Sequence, residues 1–413
     1  MPNIKTLSMR ANVLWNTGGV VFYQGCLWLM TVLVVRLSSD YGNSGMLAFA
    51  MSIGNIYTAL GTYNMRTYQI ADVHDENSPS NYIALRITTV LGGMALCLVY
   101  SLVVSPDGET LAVIAAFLVF KCDEAFVNVL YGIDQKASRM DVVGISQVVR
   151  GILCVGMFCA GLILTDSLVL ALLFVAAACI AVTVFYDVRH TRPFVTTLKP
   201  SIEGSRRLHL LKTCLPSVLG LVIGGFVVAS ARQYFGIAYG AEALGIYASV
   251  ATPCVIIQVL AQNLYIPMLG PVAEVYRDGD ASKARSGAIR LLALVAGVAL
   301  AAAVLLALCA KPLLVTLYGP TIEPYVSVLF PAMLVMTGVA CAALLTDLLI
   351  VFDSLKMTLA MNGIAFVINL VLIVPSTALW YMNGINFSLI IAYAVAVAFG
   401  TTVALKRASK PRS

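Results

Sequence analysis

Apolar residues along this chain form long runs separated by short stretches of polar and turn-forming residues, such as SPDG at residues 105–108. The runs are about 20 residues long, which as a helix crosses the roughly 30 Å hydrocarbon core of a bilayer. A helix also satisfies its own backbone hydrogen bonds there. The pattern therefore predicts an all-α polytopic membrane protein. Its twelve predicted transmembrane helices lie at residues 11–35, 45–70, 83–104, 110–133, 144–164, 168–188, 212–235, 244–266, 288–311, 325–351, 357–381 and 384–405.

The composition excludes an ordinary soluble protein. Of the 413 residues, 60% are hydrophobic and 11% are charged, whereas soluble domains carry about 25% charged residues. The ten cysteines lie singly in apolar stretches, which argues against a disulfide framework or a metal site. No nucleotide-binding or hydrolase motif is visible. We therefore expect no catalytic residues, no metal and no cofactor, and the chain does not read as an enzyme.

The longest polar connection, residues 189–211, is basic and divides the predicted helices into two sets of six. We expect an N-terminal six-helix lobe at residues 1–188, a basic cytoplasmic linker at 189–211, and a C-terminal six-helix lobe with a short basic tail at 212–413. Since positive residues stay on the cytoplasmic side, this arrangement predicts that both termini are cytoplasmic. The net charge of +6 then reflects topology and attraction to the inner leaflet, not nucleic-acid binding.

Three charged residues lie near the middle of the fourth predicted helix. Each charge at a helix centre costs about 2.5–3.5 kcal/mol on insertion scales, so such residues normally face a bundle interior or water. Lys121 and Glu124 begin a polar face, while Asp123 points about 160° away from Lys121 on a helix with 100° per residue. The face either holds a self-neutralising ion pair or lines a hydrated cavity. It continues at helical spacing through Asn128, Tyr131 and Gln135.

Three arginines also fall inside predicted helices: Arg66, Arg150 and Arg232. Each either extends to the membrane surface or lies in a cavity. Staggered buried cations favour an anionic substrate, since guanidinium groups bind phosphate bidentately, and desolvated carboxylates are candidates for proton coupling. The predicted substrate-binding residues are Lys121, Arg150, Arg66, Arg232, Asn128 and Gln147. The predicted proton- or ion-coupling residues are Glu124, Asp123 and Asp347.

Three regions, residues 34–61, 121–153 and 239–280, resemble the multidrug/oligosaccharidyl-lipid/polysaccharide (MOP) exporter superfamily, and within it the Wzx-type polysaccharide flippases. Examples are GNSGMLAFAMSIGN at residues 42–55 and KCDEAFVNVLYG at 121–132. The turn LSSDYG at 37–42 departs from the family's L-G-P-x-x-Y-G pattern. The resemblance implies a MATE-like pair of six-helix lobes with alternating access.

The same resemblance implies a function and partners. An undecaprenyl-diphosphate-linked oligosaccharide would move from the inner to the outer leaflet of the bacterial cytoplasmic membrane, with or without ion coupling. Membrane lipids, and the polymerase and glycosyltransferases of an O-antigen, lipopolysaccharide or capsule pathway, would be its partners. No nucleic acid is expected.

Other functions stay open at this point. A drug/cation antiporter of the same superfamily is one, although the membrane core holds four cations against three acids. A cell-wall precursor flippase is another, which the sequence separates poorly from a polysaccharide flippase. A membrane-embedded glycosyltransferase or polymerase would usually need a sizeable loop with catalytic carboxylates, and no connection in this chain is long enough.

Overall fold

The computed structural model describes residues 7–72, 76–352 and 354–409. The chain groups into two compact units, Met1–Val218 and Leu219–Ser413, and the change from one to the other falls inside a long helix. The predicted lobe and linker limits, 1–188, 189–211 and 212–413, stay a prediction.

Unit 1 is built from helices that are joined by short turns. In chain order they are α1 (Met9–Leu37), α2 (Gly42–Thr62), α3 (Met65–Ala71), α4 (Pro79–Val104), α5 (Gly108–Lys136), α6 (Met140–Thr165), α7 (Leu168–Val182), a π-helical turn (Thr183–Asp187) and α8 (Val188–Thr191). Helix α9 (Gly204–Tyr239) begins in unit 1 and ends in unit 2.

Unit 2 contains two 3-10 turns besides its α-helices, at Thr252–Cys254 and Pro320–Val328. After α9 its helices are α10 (Ala241–Ala251), α11 (Val255–Arg277), α12 (Ala281–Leu308), α13 (Ala310–Tyr318), α14 (Leu329–Val351), α15 (Leu355–Trp380) and α16 (Met382–Ala408).

Within the described residues, ten helical segments are long and apolar enough to cross a membrane. The chain is thus an all-α, multi-pass membrane protein, but the predicted count of twelve is not confirmed. The two predicted helices that are not counted correspond to α2 and α5. Helix α5 carries three charged residues between positions 121 and 124, and α2 is interrupted by Asn, Ser and Thr residues. Helices α2 and α5 pack directly against each other.

The predicted helix at 45–70 is broken into α2 and α3. Tyr63 and Asn64 both have positive φ angles, 52° and 49°, in the left-handed region that non-glycine residues rarely adopt. The break leaves the carbonyl groups at the end of α2 without helical partners. Arg86 of α4 donates to the Gly61 carbonyl at 2.8 Å, and Thr89 donates to the same oxygen at 2.9 Å. A buried cation therefore caps the negative end of α2.

Close helix contacts in unit 1 depend on small residues. Helix α1 packs along α6, where Gly144 lies against the backbone of Trp15. Helix α6 packs on α7, where Gly161 lies against the backbone of Ala171. Small residues at such positions let membrane helices approach closely, so that packing holds the bundle together where lipid offers no hydrophobic driving force.

Unit 2 is held together partly by buried amide side chains. The Asn386 side chain accepts from the Tyr247 hydroxyl at 2.9 Å and donates to the Val328 carbonyl at 3.3 Å. The Asn369 side chain donates to the Val227 carbonyl at 3.1 Å and accepts from the Ser388 hydroxyl at 3.0 Å. Hydrogen bonds between helices of this kind are worth about 1 kcal/mol each in membranes.

We expect Gly161→Ala to destabilise the protein, because the new Cβ atom would clash with the Cα atom of Ala171 and α7 cannot yield locally. Overpacking of this kind costs about 1–3 kcal/mol. Gly156→Ala, on the same helix, is the matched control, since nothing lies within 4 Å of the Cβ position there. The thermal midpoint of each purified variant, followed by intrinsic fluorescence in detergent, checks this. Equal midpoints for the two variants would show that the α6–α7 contact is looser than described.

Candidate functional site

The polar residues predicted along α5 have partners on several neighbouring helices of unit 1. Lys121 Nζ lies 2.5 Å from Glu124 Oε2, and Glu124 accepts from the Tyr23 hydroxyl of α1 at 2.6 Å. The ammonium group also lies 5.4 Å from the centre of the Phe120 ring, within reach of a cation–π attraction. The predicted ion pair is therefore present, and a tyrosine of a second helix holds it.

The rest of the predicted stripe makes contacts with three further helices. Asn128 accepts from Arg86 of α4 at 3.1 Å, and Gln135 accepts from Arg66 of α3 at 2.7 Å. Tyr131 shares a hydrogen bond of 2.8 Å with a serine of α6. Four members of the stripe, Lys121, Glu124, Asn128 and Gln135, are half-buried, whereas Tyr131 is buried. The stripe thus remains partly accessible along most of its length.

Helix α2 adds polar residues next to Lys121. Asn55 and Thr58 are exposed, whereas the apolar Ile53 and Ile56 are buried. A helix in contact with lipid would show the opposite pattern. Gly54 makes room for α5, since a Cβ atom at that position would overlap the ring of Phe117, next to Lys121 Cγ. We call the accessible set the polar face of unit 1. It consists of Asn55, Thr58, Thr62, Arg66, Lys121, Glu124, Asn128 and Gln135.

Asp123 lies on the other side of α5, as its angular position predicts, and pairs with Arg150. Arg150 is 1% exposed. One terminal nitrogen of its guanidinium lies 2.5 Å from Asp123 Oδ2, and the other lies 2.9 Å from Asp187 Oδ2. Thr183 accepts from Arg150 and donates to Asp123 Oδ1 at 2.5 Å, while Arg150 Nε donates to Ser146 Oγ at 3.3 Å. Arg150 therefore neither reaches the membrane surface nor lies on the polar face.

Thr183 and Asp187 are the two end residues of the π-helical turn. Such turns are rare and are frequently found at functional sites. The sequence analysis missed both residues, because they lie at the inner end of a predicted helix where an acid is expected at the membrane surface. The available signal was Arg150 itself. An arginine inside a membrane helix needs acidic partners, and a neighbouring helix can supply one of them.

A second buried carboxylate in this region forms no ion pair with a cation of the described residues. Asp134 is 0% exposed, and one of its oxygens accepts from the Thr191 hydroxyl at 3.2 Å. Its other oxygen, like Oδ1 of Asp187, has no hydrogen-bond partner in the described part of the chain. Buried carboxylates without full partners are candidates for proton uptake.

The remaining predicted residues of unit 1 occupy different places. Gln147 lies at the contact of α6 with α1, where its Oε1 atom is close to Gly19 and has no hydrogen-bond partner in the described structure. Arg66 lies on the polar face, bound to Gln135, with its guanidinium 5.9 Å from the Tyr131 ring. The structure thus brings together Lys121 with Glu124 and Asp123 with Arg150, and keeps these two pairs on opposite sides of α5.

Unit 2 contains two of the predicted residues. Arg232 of α9 is half-buried, and its Nε atom is buried without a described partner. Asp347 of α14 is half-buried and accepts from the hydroxyl of Tyr265 on α11 at 2.8 Å. Asp347 is the one charged residue of α14, whereas α9 carries Arg206, Arg207 and Lys212 near its start as well as Arg232.

A cleft of about 720 Å³ opens in unit 1 outside the apolar segments, beside Asp72 and Arg206. The Asp72 carboxylate accepts from the backbone N–H groups of Glu76 and Asn77 and from the Tyr82 hydroxyl. Burial alone would raise the pKa of Asp72, but these hydrogen bonds outweigh it and hold that pKa below its usual value. The carboxylate therefore stays ionised and fixes the start of α4, which is a structural role.

The fold is shared with several solved membrane transporters. An inward-facing multidrug resistance MATE family transporter of the MOP superfamily superposes with a TM-score of 0.74 at 15% identity, covering 94% of each chain. The chain has a MATE-like fold. The lipid II flippase MurJ, in an inward closed conformation, gives a TM-score of 0.72 at 11% identity over 96% of this chain and 90% of that chain.

A third solved structure, a MOP superfamily transporter from Pyrococcus furiosus, gives a TM-score of 0.61 at 13% identity over 98% of this chain and 99% of that chain. No protein-family model matches the sequence, and no curated protein matches it. At these identities the likeness is one of fold.

We expect Arg150→Gln to lower the stability of the protein by about 3–5 kcal/mol, because it leaves two buried carboxylates without their cation. Adding Asp123→Asn and Asp187→Asn to that variant should recover part of the loss. Arg139→Gln is the control, since Arg139 pairs with Asp141 at 2.8 Å in a much more accessible position, where a pair is worth about 0–1 kcal/mol. Thermal midpoints of the purified proteins measure the effect, and a midpoint for Arg150→Gln equal to that of the control would contradict it.

Proposed function

We propose that this chain is a flippase for an anionic, lipid-linked oligosaccharide and works by alternating access. The observation that carries the proposal is the polar face of unit 1. In a bundle whose outer surface is apolar, accessible polar residues along α2 and α5 are stable only if they face water or a polar substrate. A path for a hydrophilic head group through the membrane needs such a surface.

The charge of the polar face favours an anion. Lys121 and Glu124 neutralise each other in their ion pair. Arg66 binds the neutral Gln135, and within the described residues no carboxylate lies within 4 Å of its guanidinium. One positive charge is therefore left over on this face, and a guanidinium binds phosphate oxygens well. In unit 2, Arg232 offers a second cation.

Uptake of a proton by the buried Arg150 cluster can change the charge behind the polar face. The Arg150 guanidinium is shared by Asp123 and Asp187, so the buried cluster carries one excess negative charge when both carboxylates are ionised. Uptake of one proton by Asp187, which has an unpartnered oxygen, makes the cluster neutral. An anion on the nearby polar face is then no longer repelled. We therefore propose proton coupling through Asp187, with Asp123 and Glu124 as further candidates.

The proposed identity of the substrate rests on the resemblance of this chain to other proteins. The sequence resembles Wzx-type flippases, and one protein of similar fold is a lipid II flippase. Both lines support a substrate in which a polyprenyl diphosphate carries the sugar. We propose undecaprenyl-diphosphate-linked oligosaccharide as substrate, moved across a bacterial cytoplasmic membrane with both termini inside, in company with the polymerase and glycosyltransferases of an O-antigen or capsule pathway.

A drug/cation antiporter is the second candidate. One protein of similar fold is a multidrug resistance transporter. Asp347 favours this alternative because it is a half-buried carboxylate with a tyrosine as its described partner, which suits an organic cation. The two candidates differ in the sign of the charge that they bind, so binding experiments can separate them.

We expect purified protein in detergent to bind undecaprenyl diphosphate, and Arg66→Gln to weaken that binding about tenfold or more, since a hydrogen bond to a charged group is worth roughly 1.5–3 kcal/mol. Arg139→Gln, which removes an arginine outside the polar face, should bind as the wild type does. Microscale thermophoresis measures both affinities. Binding of ethidium without binding of undecaprenyl diphosphate would establish the antiporter instead.

The same assay tests proton coupling. Because protonation removes a negative charge from the Arg150 cluster, wild-type protein should bind undecaprenyl diphosphate more tightly as the pH is lowered. Asp187→Asn mimics the protonated acid, so its affinity should be high and should vary less with pH. Titration of the ligand itself affects the binding to both proteins equally. Comparing the two pH profiles therefore removes its contribution. An identical pH dependence in the two proteins excludes Asp187 from this role.

A further inference from the structure

A pocket of about 430 Å³ lies in unit 2 where α12 begins and α16 ends. Its polar lining consists of two arginines and three serines, and it includes no acidic residue among those described. They are Ser282, Arg285, Ser286 and Arg290 of α12 and Ser409 after α16. None of them belongs to the polar face of unit 1 or to the Arg150 cluster.

The two arginines carry free positive charge. Neither Arg285 nor Arg290 forms an ion pair in the described structure, and both are exposed. The neighbouring Lys283, by contrast, is paired with Asp280 at 2.8 Å. Asp280, the acidic residue nearest in sequence, is therefore already paired with Lys283. The pocket is thus left with two unneutralised guanidinium groups.

Helical spacing brings the polar groups of the pocket together. Ser282, Ser286 and Arg290 recur every four residues, so they form one row along α12, and Arg285 lies in the adjacent row. Ser409 closes the pocket from the end of α16. The two guanidinium groups, with the hydroxyls of Ser282 and Ser286 beside them, provide several donors at once, which is the arrangement that a phosphate group requires. The Ser409 hydroxyl donates to the Leu405 carbonyl.

The position of the pocket favours a phosphate that is carried by a lipid. It lies at the ends of two helices that are long and apolar enough to span a membrane, which is the level of the head groups. Ile289, in the same pocket, is 46% exposed and lies further along α12 in the direction of the apolar core. Lys406 and Arg407 in the last turn of α16 add positive charge at this end. A free anion would gain nothing from the exposed isoleucine.

We propose that this pocket is a binding site for the phosphate head group of an anionic phospholipid, with the acyl chains running along Ile289. Basic pockets at helix ends on the cytoplasmic side of membrane proteins hold anionic lipids by the same chemistry. The pocket shares no residue with the polar face of unit 1, and the proposal does not depend on which substrate is carried. It ties α12 and α16 of unit 2 to one leaflet through a lipid.

Native mass spectrometry of the purified full chain tests the proposal with dioleoyl phosphatidylglycerol as probe. The double variant Arg285→Gln/Arg290→Gln should lose about tenfold or more in affinity, since each charge-assisted hydrogen bond contributes roughly 1.5–3 kcal/mol. The matched control is Arg277→Gln/Lys283→Gln, which removes two cations from the same end of the molecule but not from the pocket. Dioleoyl phosphatidylcholine, which has no net charge, should bind weakly to all three proteins.

Each other outcome overturns the proposal. Equal losses in the pocket variant and the control would show general surface attraction, and unchanged binding in the pocket variant would exclude the pocket. Inorganic phosphate is the second probe. If it binds the wild type as tightly as phosphatidylglycerol and the pocket variant abolishes both, the site holds a free anion and the lipid assignment is wrong.

Discussion

The organisation of unit 1 depends on a single buried guanidinium group. Arg150 joins Asp123 of α5, Ser146 of its own helix, and Thr183 and Asp187 of the π-helical turn. Removing one partner from such a cluster costs several kcal/mol, because an uncompensated charge then remains in a medium that cannot solvate it. Helices α5 and α6 and the end of α7 are therefore fixed in register by electrostatics as well as by packing.

The Arg150 cluster gives α5 two sides that differ in their polar contacts and in their exposure. The side with Asp123 is closed, and its charged groups pair with one another inside the protein, with one oxygen of Asp187 left without a described partner. The opposite side carries Lys121, Glu124 and Asn128 and stays half-buried beside the exposed polar residues of α2. Helices α2 and α5 are also the two predicted spans that are too polar to count as membrane-crossing segments by composition. Their mutual packing lets both be polar on one side without exposing that side to lipid.

The helical fold and one side of the site could be predicted, because the periodicity of apolar and polar residues determines helix length and the angle between neighbours. It placed Lys121 with Glu124 and turned Asp123 away from both. The periodicity could not show which residues contact Asp123, because Arg150 and Asp187 lie on other helices, and contacts between helices depend on packing. The break at Tyr63 and Asn64 was also missed, as neither residue is a glycine or proline and a cation from α4 stabilises it.

The charges around α5 show how, in the proposed mechanism, protonation would set the preference for an anion. Four cations, Arg66, Arg86, Lys121 and Arg150, share this region with four carboxylates, Asp123, Glu124, Asp134 and Asp187. With every acid ionised the region as a whole is electrically balanced: the polar face carries one positive charge in excess, and the buried groups behind it carry one negative charge in excess. Asp134 and Asp187 each keep an unpartnered oxygen, so these two acids gain most from a proton. Every proton they bind leaves one positive charge in excess, so in the proposed mechanism the proton and the anion bind together.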